Sequence, residues 1–221
     1  MARQRAGIDS RIEMLLTHYG QTFAEELGIK LKDGAPSALF RWLIASLLLS
    51  ARINSSVAVR AARALADKGW TTPRKLAEST WDERTVTLNR AGYARYDEST
   101  SRMLGDTVGI LIDRYRGDLR RLREAAERDP ARERALLKEF KGIGDVGVDI
   151  FFREVQLAWD EIYPFADRRA LEAARRLELE DTAEALAKHV PPGDFPRLIA
   201  ALIRVDLRKN YASVLEARTP T

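Results

Sequence analysis

Two glycines separated by one apolar residue form the first pattern with chemical consequences in this sequence. They lie in Lys141-Gly142-Ile143-Gly144, between two segments whose apolar residues recur at helical spacing, so the pattern predicts a hairpin between two helices. Glycines at these positions can adopt positive φ and allow a phosphate or a second backbone to approach closely, while Ile143 fills the apolar crease. The second helix is expected to begin near Asp145, where the amides of a first helical turn favour an anion.

The elements that must position this hairpin are predicted to be helical throughout the chain. Apolar residues repeat at intervals of three and four, and sustained strand-like alternation is hard to find, so the fold class is predicted to be all-α. The run from Ser37 to Leu49 is apolar on nearly all sides, which predicts a buried central helix. A long amphipathic helix is expected from about Asp97 to Tyr115.

Residues that favour helix starts or stops mark further expected boundaries. The expected starts are at Asp9 or Ser10, Asn54 or Ser55, Pro73, Trp81, Asp167 and Asp181 or Thr182. The helix after the hairpin is expected to continue to Trp159. The final helix is expected to run from Asp194 to about Leu215 and to pack against the N-terminal helix.

Three motifs together resemble the helix-hairpin-helix DNA glycosylase superfamily that includes endonuclease III. The hairpin glycines and the downstream Asp167 have the spacing of that family. Upstream, Leu47-Leu48-Leu49-Ser50-Ala51-Arg52 is similar to the segment whose last residue fills the gap left by an extruded base, and Gly92-Tyr93-Ala94-Arg95-Tyr96 is similar to a turn at the mouth of the base pocket. The resemblance extends from about Leu39 to Leu177.

The resemblance implies a two-lobed helical glycosylase fold. We expect one lobe to be formed by residues 1–35 and 180–221. The other lobe is expected to comprise residues 36–179 and to carry the helix-hairpin-helix (140–152) together with Asp167.

The activity implied by the resemblance is release of a damaged base from duplex DNA, with Asp167 as the catalytic carboxylate. A carboxylate against the sugar stabilises the cationic charge that develops as the base leaves, and it can position an attacking water. An alternative role for Asp167 is to cap the following helix. The two roles are compatible, because backbone amides bound to a carboxylate keep it ionised at neutral pH.

The resemblance also assigns a position to the amine nucleophile of the bifunctional relatives, two residues after the second hairpin glycine. That position is Val146 in this sequence. An apolar side chain cannot attack the sugar, so lyase activity by that route is predicted to be absent. The implied enzyme is therefore monofunctional.

Candidate binding residues lie in and around these motifs. DNA contacts are expected from Lys141, Gly142, Ile143, Gly144, Arg52 and Arg168, and the base pocket from Trp42, Tyr93 and Phe152. Two alternatives remain open: Arg52 can complement the end of the preceding helix, and Lys141 can be a solvated turn residue. Tyr93 and Tyr96 are both suited to stacking a base, although one of them is expected to anchor the turn instead.

Composition limits the cofactors that this chain can hold. It contains no cysteine, which excludes disulfides, a zinc ribbon and the cysteine-ligated iron–sulfur cluster that many endonuclease III relatives carry. Its two histidines, His18 and His189, lie far apart in sequence. We therefore expect neither a metal nor a cofactor.

Charge and hydropathy indicate the partner and the location. Basic residues outnumber acidic ones by 37 to 33, and arginines cluster near the matched motifs, which favours a basic stripe for DNA. No apolar run is long enough to span a membrane, and the N-terminus lacks the apolar core of a signal peptide. We expect a cytoplasmic monomer, nucleoid-associated if prokaryotic, whose partner is double-stranded DNA with a damaged base and not a membrane.

Two other functions are compatible with the sequence. One is a non-catalytic helix-hairpin-helix protein that binds DNA without turnover, and the other is an all-helical interaction protein whose glycine pair is only a turn. The lesion itself stays open among alkylated purines, oxidised pyrimidines and mismatched bases, because selectivity depends on a pocket assembled from distant helices.

Overall fold

The computed structural model describes the backbone of residues 2–216 and the side chains of residues 7–216. Over that range the chain is helical and contains no β-strand, so the predicted all-α class is confirmed. The helices are α1 (Ala2–Tyr19), α2 (Phe23–Glu26), α3 (Pro36–Leu49), α4 (Ser55–Asp67), α5 (Pro73–Ala77), α6 (Trp81–Arg90), α7 (Asp97–Tyr115), α8 (Leu119–Ala125), α9 (Pro130–Leu137), α10 (Asp145–Val155), α11 (Arg168–Arg176), α12 (Ala183–Ala187), α13 (Phe195–Arg208) and α14 (Tyr211–Leu215).

Local sequence signals account for most of the helix starts. The Asn54 side chain accepts a hydrogen bond from the Ser56 amide at 2.9 Å and so caps α4. Thr80 and Glu83 form a reciprocal capping box at the start of α6. Pro73 is the first residue of α5, where a missing amide hydrogen costs nothing.

The chain divides into two compact units. The central unit is Leu27–Glu161, and the terminal unit contains both chain ends, up to Glu26 and from Ile162. The sequence had predicted divisions after residues 35 and 179. In the structure, the segment from Ile162 to Leu179, including Asp167, therefore belongs to the terminal unit and not to the unit that carries the hairpin.

The core of the central unit is built around α3. Its side chains are buried on nearly all sides, as the uniformly apolar run predicted, and it packs against α4, α8 and α10. The Trp42 indole Nε1 donates a hydrogen bond to the Phe151 carbonyl at 3.0 Å, which joins α3 to α10 in the interior. The second helix of the hairpin is thereby anchored in this core.

The terminal unit is centred on α13, which packs against both α1 and α11. Apolar residues along α13 are buried, including Leu198, Ile199 and Leu202. The N-terminal helix α1 contributes Ile12 and Leu15 to the same core. The two chain ends are therefore held together by helix packing.

Two predicted helices end earlier in the structure than expected. The helix after the hairpin ends at Val155 and is followed by a short 3-10 turn, Asp160–Ile162. The last predicted helix is interrupted at Lys209, whose φ of +55° ends α13, while the Asn210 amide donates back to the Val205 carbonyl at 3.1 Å. Side-chain hydrogen bonds from Lys209 and Tyr211 to Asp206 stabilise this bend.

Candidate nucleic-acid interface

The hairpin between α9 and α10 has the buried plug that the sequence predicted. Ile143 is buried, and its amide donates to the Phe140 carbonyl at 3.0 Å. Gly142 has a φ of +86°, and a Cβ atom there would lie 2.8 Å from Met103 Sδ. Thr107 Oγ1 donates to the Lys141 carbonyl at 3.1 Å and so ties the hairpin to α7. Only glycine fits position 142 without strain.

Gly144 differs from Gly142 in both conformation and surroundings. It is the N-cap of α10 with a φ of −97°, so it does not use the positive φ that a glycine could adopt there. A Cβ atom on Gly144 would meet no atom within 4 Å. No side chain caps α10, whose first amides have no acceptor within the helix. The exposed backbone at Gly144 can therefore be approached closely by an anion.

Two side chains at the start of α10 determine its local charge and polarity. Asp145 is exposed and pairs with Lys138 Nζ at 2.8 Å, and this hydrogen bond lowers the pKa of Asp145. Its negative charge is thus partly balanced. Val146 is 58% exposed, which is unusual for a large apolar side chain. Lys141, in the turn before Gly142, is also exposed.

The three motifs singled out in the central unit's sequence line one pocket. Its volume is about 300 Å³. The lining residues are Leu47, Ser50, Ala51, Arg52, Tyr93, Tyr96, Ser99, Thr100, Met103 and Gly142. The end of α3, the turn before α7 and the first hairpin glycine therefore meet at a single opening.

Arg52 lies at the edge of this pocket in the turn between α3 and α4. Its side chain is exposed, and it forms no hydrogen bond or ion pair with any residue of the described range. The carbonyls at the end of α3 are engaged by other groups, since Ser50 Oγ donates to the Leu47 carbonyl at 2.7 Å. Arg52 therefore makes no hydrogen bond to the carbonyls at the end of α3.

The two tyrosines have different roles. Tyr93 is buried, its hydroxyl donates to the Leu48 carbonyl at 3.2 Å, and burial raises its pKa to about 12. Tyr96 is half-buried, with its ring centroid 6.5 Å from that of Tyr93 in an edge-to-face arrangement. The Arg95 guanidinium lies 5.3 Å from the Tyr96 centroid. Tyr93 therefore anchors the turn, and Tyr96 presents the accessible aromatic ring.

In the terminal unit, Asp167 is the residue that precedes α11. It has extended N-cap geometry, with φ −76° and ψ 169°, but its carboxylate makes no capping hydrogen bond to that helix. The predicted capping hydrogen bond between the first amides of α11 and the Asp167 carboxylate is therefore absent. The side chain is largely buried, because Asp167 is 8% exposed.

The first residues of α11 are fixed by ion pairs. Arg168 is exposed and pairs with Glu172 one turn later, at 2.7 Å. Arg169 Nε donates to Asp206 Oδ2 on α13, also at 2.7 Å. The second pair attaches the start of α11, immediately after Asp167, to the core helix of the terminal unit.

The sequence matches no protein-family model and no curated protein. In three dimensions the chain is similar to a solved structure titled a non-covalent endonuclease III–DNA complex, with a TM-score of 0.53 and 18% identity over 88% of this chain and 81% of that one. It is also similar to a trapped covalent endonuclease III–DNA intermediate described as an estranged-adenine complex, with a TM-score of 0.47 and 19% identity over 74% and 71%.

This chain has the helix-hairpin-helix fold of endonuclease III.

Within this endonuclease III fold, two of the three aromatic residues predicted for the base pocket lie elsewhere. Trp42 is fully buried and hydrogen-bonded inside the core. Phe152 is buried on α10, with the Arg134 guanidinium 5.2 Å from its ring centroid. Neither residue lines the 300 Å³ pocket, so only Tyr93 of the predicted set does.

The sequence indicated Tyr96 as a residue suited to stacking a base, but Ser99, Thr100 and Met103, which line the pocket from α7, were not predicted for the site. Tyr96, Ser99, Thr100 and Met103 recur at intervals of three and four, so they lie on one side of this helix. That spacing was available in the sequence. It was not decisive there, because an identical spacing is expected for residues that pack in the core.

A larger groove lies on another face of the central unit, between α4 and α6. Its volume is about 1010 Å³, and it is lined by cations and carboxylates, among them Arg60, Arg90, Asp67 and Asp82. None of the residues predicted for the site lines it. The smaller pocket is therefore the better candidate for a base.

Two further properties concern the range covered by the structure. Within residues 2–216 no group of three or more His, Cys, Asp or Glu side chains is arranged to hold a metal ion. No helix in that range is both long and apolar enough to cross a lipid bilayer.

Proposed function

We propose that this chain is a monofunctional DNA glycosylase that binds duplex DNA, extrudes a damaged base and hydrolyses its N-glycosidic bond. The hairpin supports this proposal more than any other observation. Gly142 is packed against α3 and α7, Ile143 is buried, and Gly144 exposes the first amides of α10 without a covering side chain. These features suit a phosphate at the helix start, where the amides and the helix dipole favour negative charge.

Extrusion of the base is assigned to the rim of the 300 Å³ pocket. Extruding a nucleotide from the base stack costs a few kcal/mol of free energy and leaves a gap in the duplex. Arg52 has a long, exposed side chain without a partner in the described range, so it is available to fill that gap. Tyr96 offers an aromatic face on the same rim, which suits stacking on an unpaired base.

Hydrolysis is assigned to Asp167. In the proposed step the C1′–N bond breaks with its electron pair going to the base, and positive charge develops on the sugar. The carboxylate stabilises that charge, a water oxygen bonds to C1′, and the water proton passes to the carboxylate. The assignment rests on the place of Asp167 in the sequence, immediately before α11.

The monofunctional character is assigned from Val146. This residue is on the first turn of α10 at the position that the family resemblance gives to the amine nucleophile, and it has no nucleophilic atom. Without an amine there, no Schiff base forms at this position and the strand stays intact.

A second candidate is a non-catalytic protein that binds DNA through the same hairpin. The 8% exposure of Asp167 favours it, because a largely buried carboxylate has limited access to a sugar. Both candidates include a DNA partner and differ only in turnover.

Base release from a panel of lesion duplexes distinguishes the two candidates. Duplexes carrying an alkylated purine, an oxidised pyrimidine or a mismatch are incubated with the protein and then treated with alkali to cleave abasic sites. We expect cleavage of at least one duplex after alkali and none before it. Asp167→Asn is expected to abolish cleavage while duplex affinity changes by less than about twofold.

The outcomes have separate meanings. Binding without base release on the whole panel supports the non-catalytic candidate. Strand breaks without alkali contradict the assignment made from Val146, and full activity of the Asp167→Asn variant contradicts the catalytic role of Asp167.

A further inference from the structure

One buried carboxylate in the terminal unit, that of Asp206, is surrounded by several cationic side chains. Asp206, in the last turn of α13, accepts hydrogen bonds from Arg169 Nε at 2.7 Å, Lys209 Nζ at 2.7 Å and the Tyr211 hydroxyl at 2.6 Å. Arg176 NH1 lies 3.9 Å from Asp206 Oδ1. We call Arg169, Arg176, Lys209 and Asp206 the Asp206 patch. It brings both ends of α11 together with the end of α13.

The charges of this patch do not balance. Three cations share a single carboxylate, so the patch is positive as a whole. The Asp206 side chain is only 12% exposed, whereas those of Arg169, Arg176 and Lys209 are 45%, 59% and 67% exposed. The negative charge is therefore inside, and the positive charges face the solvent.

The buried carboxylate also orders the cations. Burial by itself would raise the pKa of Asp206, but hydrogen bonds from Lys209, Tyr211 and Arg169 outweigh it and hold the pKa well below its usual value. Asp206 thus stays ionised. The Arg176 guanidinium lies in addition 5.5 Å from the Tyr211 ring centroid. An incoming anion meets side chains that are already partly fixed, which lowers the entropy lost on binding.

The cationic surface continues along α11. Arg168 and Arg175 are exposed, and together with Arg169 and Arg176 they place two basic residues at each end of the helix. These ends are about 10 Å apart at 1.5 Å per residue. Phosphates in one DNA strand recur every 3.4 Å along the axis, so the surface covers about three nucleotides. Glu172 lies between these ends and pairs with Arg168 at 2.7 Å, so four arginines along α11 share one partly exposed carboxylate and the row stays positive. An extended row of cations suits a polyanion better than a single small anion.

We propose that the Asp206 patch is a second contact surface for the phosphate backbone of duplex DNA, formed by the terminal unit independently of the hairpin. The inference rests on the DNA partner of the proposed function and does not depend on turnover. Side chains that neutralise phosphates release counterions, so each contact adds a measurable salt dependence to the affinity.

The test is the salt dependence of binding to an undamaged duplex, measured by fluorescence anisotropy at several KCl concentrations. The patch variant is Arg169→Ala/Arg176→Ala/Lys209→Ala. The control variant, Arg120→Ala/Arg132→Ala/Lys188→Ala, removes the same charge from three exposed cations elsewhere. We expect the patch variant to lose about tenfold or more in affinity and its log–log salt slope to become shallower by about 2 to 3, with little change in the control.

A single variant keeps the test valid if the triple variant fails to fold. Arg176 is the cation farthest from Asp206, so Arg176→Gln disturbs the carboxylate least. It is expected to reduce the slope by about 1. Thermal melts followed by circular dichroism verify that each variant is folded.

The possible failures are distinct. If folded patch variants bind with the same affinity and slope as the control, the inference is overturned and the proposed function is untouched. If the unmodified chain binds duplex DNA but releases no base from any lesion, the glycosylase proposal fails. The inference about the Asp206 patch is then still decided by the affinities and salt slopes of the patch and control variants. If the unmodified chain has no salt-dependent affinity for DNA, both are overturned.

Discussion

Met103 Sδ lies 2.8 Å from the point that a Cβ atom would occupy on Gly142, and Leu47 Cδ1 lies 3.3 Å from it. This close approach joins the hairpin to α7 and α3 at the edge of the pocket. Gly142→Ala places a methyl group there and forces a non-glycine residue to a φ of +86°. We expect the free energy of unfolding to fall by about 1–3 kcal/mol, measured by urea denaturation. Unchanged stability would contradict the observed hairpin packing.

Gly144→Ser offers the matched substitution two residues later. The φ of −97° suits serine, which is a favoured N-cap residue, and a Cβ atom meets nothing within 4 Å. Stability should therefore be preserved, to within about 0.5 kcal/mol. The added atoms cover the amides proposed to receive a phosphate, so duplex affinity is expected to fall about tenfold. A variant with normal affinity would remove Gly144 from the DNA interface.

The parts of the structure that were predictable from sequence depend on local chemistry. Asn54 and Pro73 mark helix starts because capping and ring constraints act within one turn. The hairpin was predictable for a similar reason, since two glycines and Ile143 occupy a short break between apolar helices. The break at Lys209 was missed, because it depends on side-chain bonds to Asp206.

The parts that were mispredicted depend on which face of a helix meets another helix. Trp42 was assigned to the base pocket on its aromatic character, but α3 packs against three other helices and most of its large apolar side chains, including Trp42, are buried. Phe152 is covered in the same way on α10. Glu133 lies in a charged stretch typical of an exposed surface, yet it is completely buried. The periodicity of apolar residues identifies which face of a helix is buried, but not which other helix covers that face.

The burial of Glu133 predicts a specific dependence of stability on pH. Its two carboxylate oxygens are buried and have no hydrogen-bond donor. Burial raises the pKa of Glu133 to about 8, and the neighbouring carboxylates of Glu161 and Asp129 act in the same direction. Glu161 itself is paired with Arg123, whose Nε donates to it at 2.6 Å. A proton on Glu133 supplies the missing donor and joins the two glutamates.

Because the pKa of Glu133 is higher in the folded chain than in the unfolded chain, the protein is expected to lose stability as the pH rises. The unfolded chain loses this proton near pH 4.5 and the folded chain near pH 8, so the stabilisation is complete below pH 4.5 and is lost as the pH rises to 8. Urea denaturation at pH 5, 7 and 9 should give a decreasing free energy of unfolding. The Glu133→Gln variant keeps a hydrogen-bond donor that does not titrate, so its free energy of unfolding should decrease less between pH 5 and pH 9. Glu184→Gln, at an exposed position, is the control, and equal slopes for both variants would contradict the proton-sharing pair.

Arg52→Ala tests the proposed role of Arg52 in base extrusion. Arg52 is exposed and has no partner in the described range, so the free energy of unfolding should change by less than about 0.5 kcal/mol. Base release from a duplex should slow about tenfold, equivalent to about 1.4 kcal/mol in the barrier. Release from the same lesion in a single strand should change little, because no stacked partner has to be replaced. Arg102→Ala, which removes another exposed cation of the central unit, is the control.

Val146→Lys tests whether the start of α10 faces a deoxyribose in the complex with DNA. Val146 is 58% exposed on the first helical turn, so a lysine fits there without displacing core atoms. With a duplex that contains an abasic site, its amine is expected to attack C1′, lose water and form an imine that borohydride reduces to a stable covalent complex. The complex is detected as a band of reduced mobility on a denaturing gel. The unmodified chain and Val146→Met, which has a long side chain without an amine, should give no such band. Absence of a covalent complex with Val146→Lys, although the variant binds the duplex normally, would show that this turn does not reach the sugar.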